Sequence, residues 1–150
     1  MGATIVQDYI YESMLENADA PIELFHGYTY SGHPVACAAA LATLDIYKEE
    51  GLFEHAGEQA PKIEKAAHSL KGTKHVIDIR NLGVIAAIEL EPRGNAVGAR
   101  GFEVMKKAWD LGLMVRANGD TLAFSPPLIV SDAQIDEMFT TVKSALEQVD

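Results

Sequence analysis

Residues 113–124 read LMVRANGDTLAF, and they decide the fold. Two strand-like apolar runs, Leu113–Arg116 and Thr121–Phe124, flank Ala117-Asn118-Gly119-Asp120. An Asn-Gly pair between two such runs is a strong hairpin signal, because both residues tolerate the positive φ a tight turn demands. Just downstream, Ser131 and Gln134 have the spacing of a capping box. Ile135, Met138, Phe139, Val142, Ala145, Leu146 and Val149 then recur on one face of a helix.

The same order of elements extends upstream. Val76–Arg80 and Val84–Leu90, separated by Asn81-Leu82-Gly83, read as a second pair of strands. After a loop from Pro92 to Gly98, a helix with Phe102, Met105 and Trp109 turned inward ends at Gly112. Before the first strand pair, a helix from Leu52 to Lys71 carries Phe53, Ala56, Ile63, Ala67 and Leu70 and closes at Gly72. Gly57 and Pro61 are expected to weaken or kink its first half. The order from residue 51 is therefore helix, two strands, helix, two strands, helix. One four-stranded sheet covered by helices buries all those apolar faces, which is a two-layer α/β (α+β) domain.

The first 33 residues do not fit inside that unit. Ala3, Ile5 and Val6 suggest one short strand, followed by a helix from Gln7 to Glu16 with Ile10 and Met14 on one face. Residues 17–33 are loop-like, ending in HGYTYSGHP. A helix begins at Pro34, whose missing N–H costs nothing in a first turn. It runs through an alanine-rich stretch to Glu50 and stops at Gly51.

Composition narrows the function. The chain has 150 residues, 48% apolar and 23% charged, with a formal net charge of -10. That surface repels phosphate backbones and anionic lipid heads, so neither nucleic acid nor membrane is expected as a partner. Cys37 is the single cysteine, which forbids an internal disulfide and suits a reducing cytoplasm. No signal peptide or membrane-spanning run is visible.

Three places can carry chemistry. The loop from Gly27 to His33 enters a helix N-terminus, where free N–H groups and the dipole favour an anion; Thr29 and Ser31 add hydroxyls. Local capping explains the same residues without any ligand. Arg116 ends a strand and offers a planar fork of donors suited to a carboxylate. Pairing with Asp120 across the hairpin is the plainer account. The five histidines show no i, i+4 pair, and one cysteine gives no thiolate set, so a metal site is not expected. His26 and His33 read as residues that hold the loop's shape, Cys37 as a small buried packing residue, and Glu89 as either buried and paired or, the plainer account, solvated at its strand end. Of the eight lysines, seven are placed on helices with polar faces and Lys74 in a loop. None has the burial or cationic neighbour that an imine-forming amine needs.

The segment HGYTYSGHPVACAAALATLDIYKEEGL resembles class III aminotransferases, and within them the omega-amino acid:pyruvate (beta-alanine:pyruvate) group. DIRNLGVIAAIEL, GLMVRANGDTLAFSPPL and the terminal helix beginning SDAQID agree in the same order, and MGATIV resembles the strand after the cofactor lysine. The resemblance implies a fold-type I transferase dependent on pyridoxal 5'-phosphate, dimeric, acting on an omega-amino acid or amine donor and pyruvate. It implies that residues 1–33 are a remnant of the large domain with the cofactor-phosphate loop, 34–50 a connecting helix, and 51–150 the small domain. Thr29 matches the threonine donating to the cofactor phosphate across the dimer, Tyr28 the adjacent aromatic position, and Arg116 the arginine that binds a substrate carboxylate. The Schiff-base lysine lies upstream of these residues, so no catalytic residue is assigned here and the chain by itself is expected to be an inactive C-terminal portion. A stand-alone α/β module that recognises a small carboxylate through Arg116 is the alternative.

Overall fold

The computed structural model describes residues 2–19 and 27–150. Backbone contacts divide the chain into two units, residues 1–49 and 50–150. The first contains α1 (Asp8–Glu16) and α2 (Pro34–Glu49) among the described residues. Gln7 stands as the extended N-cap of α1. The strand expected in the first six residues does not form; residues 2–6 are irregular. Neither helix has a buried residue. Cys37, expected to be buried, is half-buried. His26 lies outside the described residues.

The second unit holds α3 (Leu52–His68), β1 (Val76–Leu82), β2 (Ile85–Leu90), α4 (Ala99–Asp110), β3 (Arg116–Asn118), β4 (Thr121–Phe124) and α5 (Asp132–Glu147). The four strands form one antiparallel sheet in the order β1-β2-β4-β3. The expected two-layer domain is therefore present. Its core joins Ile88, Leu90, Leu122 and Phe124 of the sheet to Ile63 and Ala67 of α3 and Val104 and Ala108 of α4. Ile135, Phe139, Val142, Ala145 and Leu146 of α5 complete it, and the rings of Phe124 and Phe139 lie 5.1 Å apart. The capping box stands as read: Ser131 accepts from the Gln134 N–H, and the Gln134 side chain accepts from the Ser131 N–H at 2.9 Å.

Several boundaries and faces differ from the reading of the sequence. Helix α3 ends at His68, and residues 69–72 are turn, with Gly72 at φ +84°. The helix continues through Pro61, whose missing N–H would have bonded the carbonyl of Gly57. Phe53 is exposed, and Leu52 and Gln59 occupy the face assigned to it. Phe102 and Trp109 are likewise exposed, at 56% and 65%. The inward face of α4 is Gly101, Val104 and Ala108, with Met105 packed beside it. At about 100° per residue these four cluster on one side, while 102 and 109 point a quarter turn away. A backbone contact sets this phase: a Cβ on Gly101 would collide with the Gly119 carbonyl oxygen and the Asp120 Cα.

Both hairpins turn one step from where they were read. Leu82 pairs with Ile85, leaving Gly83-Val84 as the loop, and Asn118 pairs with Thr121, leaving Gly119-Asp120. Asn118 is thus the last residue of β3, and Gly119 alone takes a positive φ, +59°. Arg116 opens β3 and does not end a strand.

Candidate functional site

In the first unit, the turn before α2 brings Tyr28, Thr29, Ser31 and Gly32 together. The Ser31 N–H donates to the Tyr28 carbonyl at 2.9 Å, and the His33 N–H donates to that of Tyr30 at 3.3 Å. Gly32 sits at φ +70°, a conformation that a side chain would strain. The Cys37 N–H donates to the His33 carbonyl, so the helical hydrogen bonds begin there. Pro34 has no N–H, and Val35 and Ala36 are left as the first-turn donors of α2. The Thr29 hydroxyl bonds no described residue, and Thr29 and Tyr28 are both exposed. Thr29, Ser31 and Gly32 border an open depression of about 1260 Å³ along Ala36, Ala40 and Thr43 of α2. Neutral donors on one side of an open cup suit one edge of a phosphate group.

In the second unit, cross-strand pairing places Arg116. It pairs with Ala123, Ala123 with Ala87, and Ala87 with Arg80. Residues paired in this way share a face, so the row Arg80–Ala87–Ala123–Arg116 crosses the whole sheet on the side opposite α3, α4 and α5. The two alanines are half-buried and both arginines exposed. The adjoining row on that face is Asp78–Glu89–Thr121–Asn118.

The two arginines differ in their surroundings. Arg80 donates to Glu89 at 2.6 Å and also to Asp78, and these bonds raise its pKa above the usual arginine value. Glu89 is therefore paired, contrary to the expectation of simple strand-end solvation. Arg116 has no carboxylate within ion-pair distance among the described residues. The cross-hairpin pair with Asp120 does not form, because Asp120 is buried on the other side of its turn. Its carboxylate accepts from the N–H groups of Gly98 at 2.6 Å and Gly101 at 2.9 Å.

Asp120 is thus a cap for α4 supplied from about 20 residues along the chain, and no local pattern of residues announces it. Burial pushes its pKa up, but the N–H groups of Gly98, Gly101 and Arg100 and the Arg100 charge outweigh that, leaving it below the usual carboxylate value. Arg100 is itself buried and donates to the Glu91 carbonyl. Beside it, His75 at φ 68° and Lys74 both donate to the Val149 carbonyl, at 3.3 and 3.0 Å. His55 and His68 also have structural partners, the Val130 carbonyl and the Asn81 side chain. Among the described residues no three histidine, cysteine or acidic side chains group as metal ligands. No described helix is long and apolar enough to cross a membrane.

Seven of the eight lysines are exposed and Lys107 is half-buried. Lys62 is held by Asp132 at 2.7 Å, and Lys71 lies in the turn after α3, off the helix on which it was placed.

Known proteins share both sequence and fold with this chain. The profile of the family described as aminotransferase class-III matches residues 1–146. An omega-aminotransferase of Caulobacter vibrioides is 52% identical over 149 residues, covering 99% of this chain and 34% of the relative. A beta-alanine--pyruvate aminotransferase of Pseudomonas aeruginosa is 44% identical over 151 residues, with coverage of 99% and 34%. The chain spans about a third of the length of these curated relatives. Among solved structures, a thermostable omega transaminase mutant from Pseudomonas jessenii superposes with a TM-score of 0.76 at 36% identity, over 83% of this chain and 29% of that one. An adenosylmethionine-8-amino-7-oxononanoate aminotransferase from Methanocaldococcus jannaschii gives 0.75 at 30%, over 85% and 30%. With the motifs in order, the sheet in place and the profile matched nearly from end to end, the chain belongs to the class III aminotransferases.

Proposed function

We propose that these residues serve an aminotransferase that moves an amino group from an omega-amino acid or amine to pyruvate. The observation that carries this reading is 44–52% identity, over nearly the whole chain, to proteins named omega-aminotransferase and beta-alanine--pyruvate aminotransferase. A stand-alone carboxylate-binding module is not favoured, since the family profile runs through both units. Class III aminotransferases depend on pyridoxal phosphate in general. When bound, that group supplies the aldehyde and the electron-withdrawing ring that carry nitrogen between substrates.

In this reading residues 1–33 belong to the large domain with the phosphate loop, 34–50 connect, and 51–150 form the small domain. The free hydroxyl of Thr29 donates to a phosphate oxygen, in a neighbouring subunit's site of a homodimer, and Tyr28 lines that site. Arg116 takes the substrate carboxylate in a two-pronged contact. The turn's neutral donors fit part of a phosphate dianion, and the full charge needs further groups. No lysine of these 150 residues is buried, so the amine that condenses with the aldehyde comes from other polypeptide. The chain alone is then inactive, and its lone cysteine suits the cytoplasm as its place.

The test has two arms. Incubating the chain with pyridoxal phosphate, reducing with borohydride and mapping by mass spectrometry should trap no single lysine; stoichiometric trapping at one position would contradict the assignment. In a polypeptide containing these residues and an active site, Arg116→Ala should lower kcat/KM for pyruvate by about ten- to a hundredfold, as expected for a charge-assisted contact. Uncharged amine donors should change far less, and equal losses would remove Arg116 from carboxylate binding.

A further inference from the structure

We propose that Arg80 is a positioning residue that holds the Glu89 carboxylate away from Arg116, keeping that guanidinium open for a carboxylate from outside the sheet. The inference rests on the reading of Arg116 as the substrate contact, but its geometry is independent of that reading.

Glu89 and Arg116 share the face of the sheet opposite α3, α4 and α5. Glu89 pairs with Thr121 and Arg116 with Ala123, and those two partners lie two residues apart on β4. Two strand spacings and a two-residue offset put their Cα atoms about 12 Å apart, a span that extended arginine and glutamate side chains together can bridge. Nothing bulky stands between, because the intervening positions are Thr121, Ala123 and Ala87. Of the acidic residues near the sheet, Asp120 is turned into the cap of α4, and Asp78 lies one strand further off, on β1. Among the strand residues of that face, Glu89 is the carboxylate within this reach. With Arg80 absent, Glu89 loses its 2.6 Å partner and Arg116 is the cation remaining on the same surface. An exposed pair of this kind is weak, and occupies Arg116 for a fraction of the time. That fraction is subtracted from the protein able to bind a substrate carboxylate.

The experiment is nuclear magnetic resonance of the arginine Nε–H groups in the 150-residue chain, comparing the wild type with Arg80→Gln, Arg80→Lys and Arg80→Gln/Glu89→Gln. In Arg80→Gln the Arg116 signal should shift and its exchange with water slow by about two- to fivefold, as an exposed ion pair allows. The double variant and Arg80→Lys should return it to the wild-type position, the first by removing the carboxylate and the second by restoring a cation beside it. An Arg116 signal that stays put in Arg80→Gln overturns the proposal, as does a shift that persists in the double variant. If Arg80→Gln loses the amide pattern of the sheet, Arg80→Lys/Asp78→Asn supplies the comparison. There the introduced ammonium has Glu89 as its single acceptor and should leave Arg116 unchanged, and a moved Arg116 signal counts against the idea. A functional readout separates this from the role of Arg116 itself. In an active enzyme carrying these residues, Arg80→Gln should raise KM for pyruvate about two- to fivefold with kcat retained. Movement of the signal without a KM change would leave the sheet geometry standing and count against Arg116 as the pyruvate contact.

Discussion

Asp120 shows how much one side chain can decide. It occupies a turn position where the sequence suggested a partner for Arg116, yet it faces the opposite way and closes the N-terminus of α4. Asp120→Ala strips two backbone N–H groups of a buried acceptor and should cost about 2–3 kcal/mol, measured by urea unfolding. Because burial is outweighed and its folded pKa lies below the unfolded one, that contribution is present above the ordinary carboxylate range and is lost as pH falls through the folded value. His75 works in the other range of pH. Partial burial first, then the charge of Arg100, hold its pKa below the usual histidine value against the pull of the Val149 carbonyl. The unfolded chain therefore binds the proton first, and stability should decline as pH drops from about 7 through the unfolded histidine pKa near 6.5. His75→Asn keeps a residue that tolerates φ 68°. The urea midpoint of that variant should fall less between about pH 7.5 and 5.5 than the wild type's, and an identical fall would place the pH dependence elsewhere.

At the scale of elements, the periodic helix α5, the four strands and their two hairpin pairings were legible in the sequence. Each announces itself through local chemistry, the capping box or an alternation ended by glycine. The β2–β4 pairing that joins the hairpins was not legible, and neither was the inward face of α4. Its phase follows from the approach of Gly101 to the backbone of Gly119 and Asp120, a contact between segments that no window of sequence contains. The large aromatics Phe102 and Trp109 drew attention to the wrong stripe. Gly101→Ala should therefore destabilise by about 1–3 kcal/mol. Gly57→Ala, in a helix with nothing within 4 Å of the added carbon, should stabilise by about 0.5–1 kcal/mol. A comparable change of the same sign at both positions would mean that helix propensity, not the close approach, governs α4. The turn positions were misread for a similar reason. Asn-Gly signals a hairpin but leaves the register to packing, and Leu122 and Phe124 in the core fixed it one residue later.

At the scale of the whole chain, only family resemblance suggested what the candidate residues would bind. Residue chemistry and position singled out Thr29 and Arg116 as donors, but the row that includes Arg116, Ala123, Ala87 and Arg80 needed the register of three strand pairs. The two units also differ in what holds them. Residues 50–150 enclose a continuous core, whereas no residue of α1 or α2 is buried. Helices of 9 and 16 residues without a packed face are marginal in water. A peptide of residues 1–49 should accordingly show little helical circular dichroism, while residues 50–150 should unfold in one cooperative transition. Strong helicity in the peptide would show that α2 stands on its alanine content alone.

Strands β1 and β3 are the edge strands of the sheet among the described residues, and β1 exposes Ile77 and Leu82. Its register breaks between Val76 and Asp78, and the charged trio of Asp78, Arg80 and Glu89 follows directly. A broken register and fixed charges make a poor template for a foreign strand. Arg80 places a fixed charge on that edge strand, and Arg80→Gln should speed aggregation, followed by light scattering, before it measurably lowers stability.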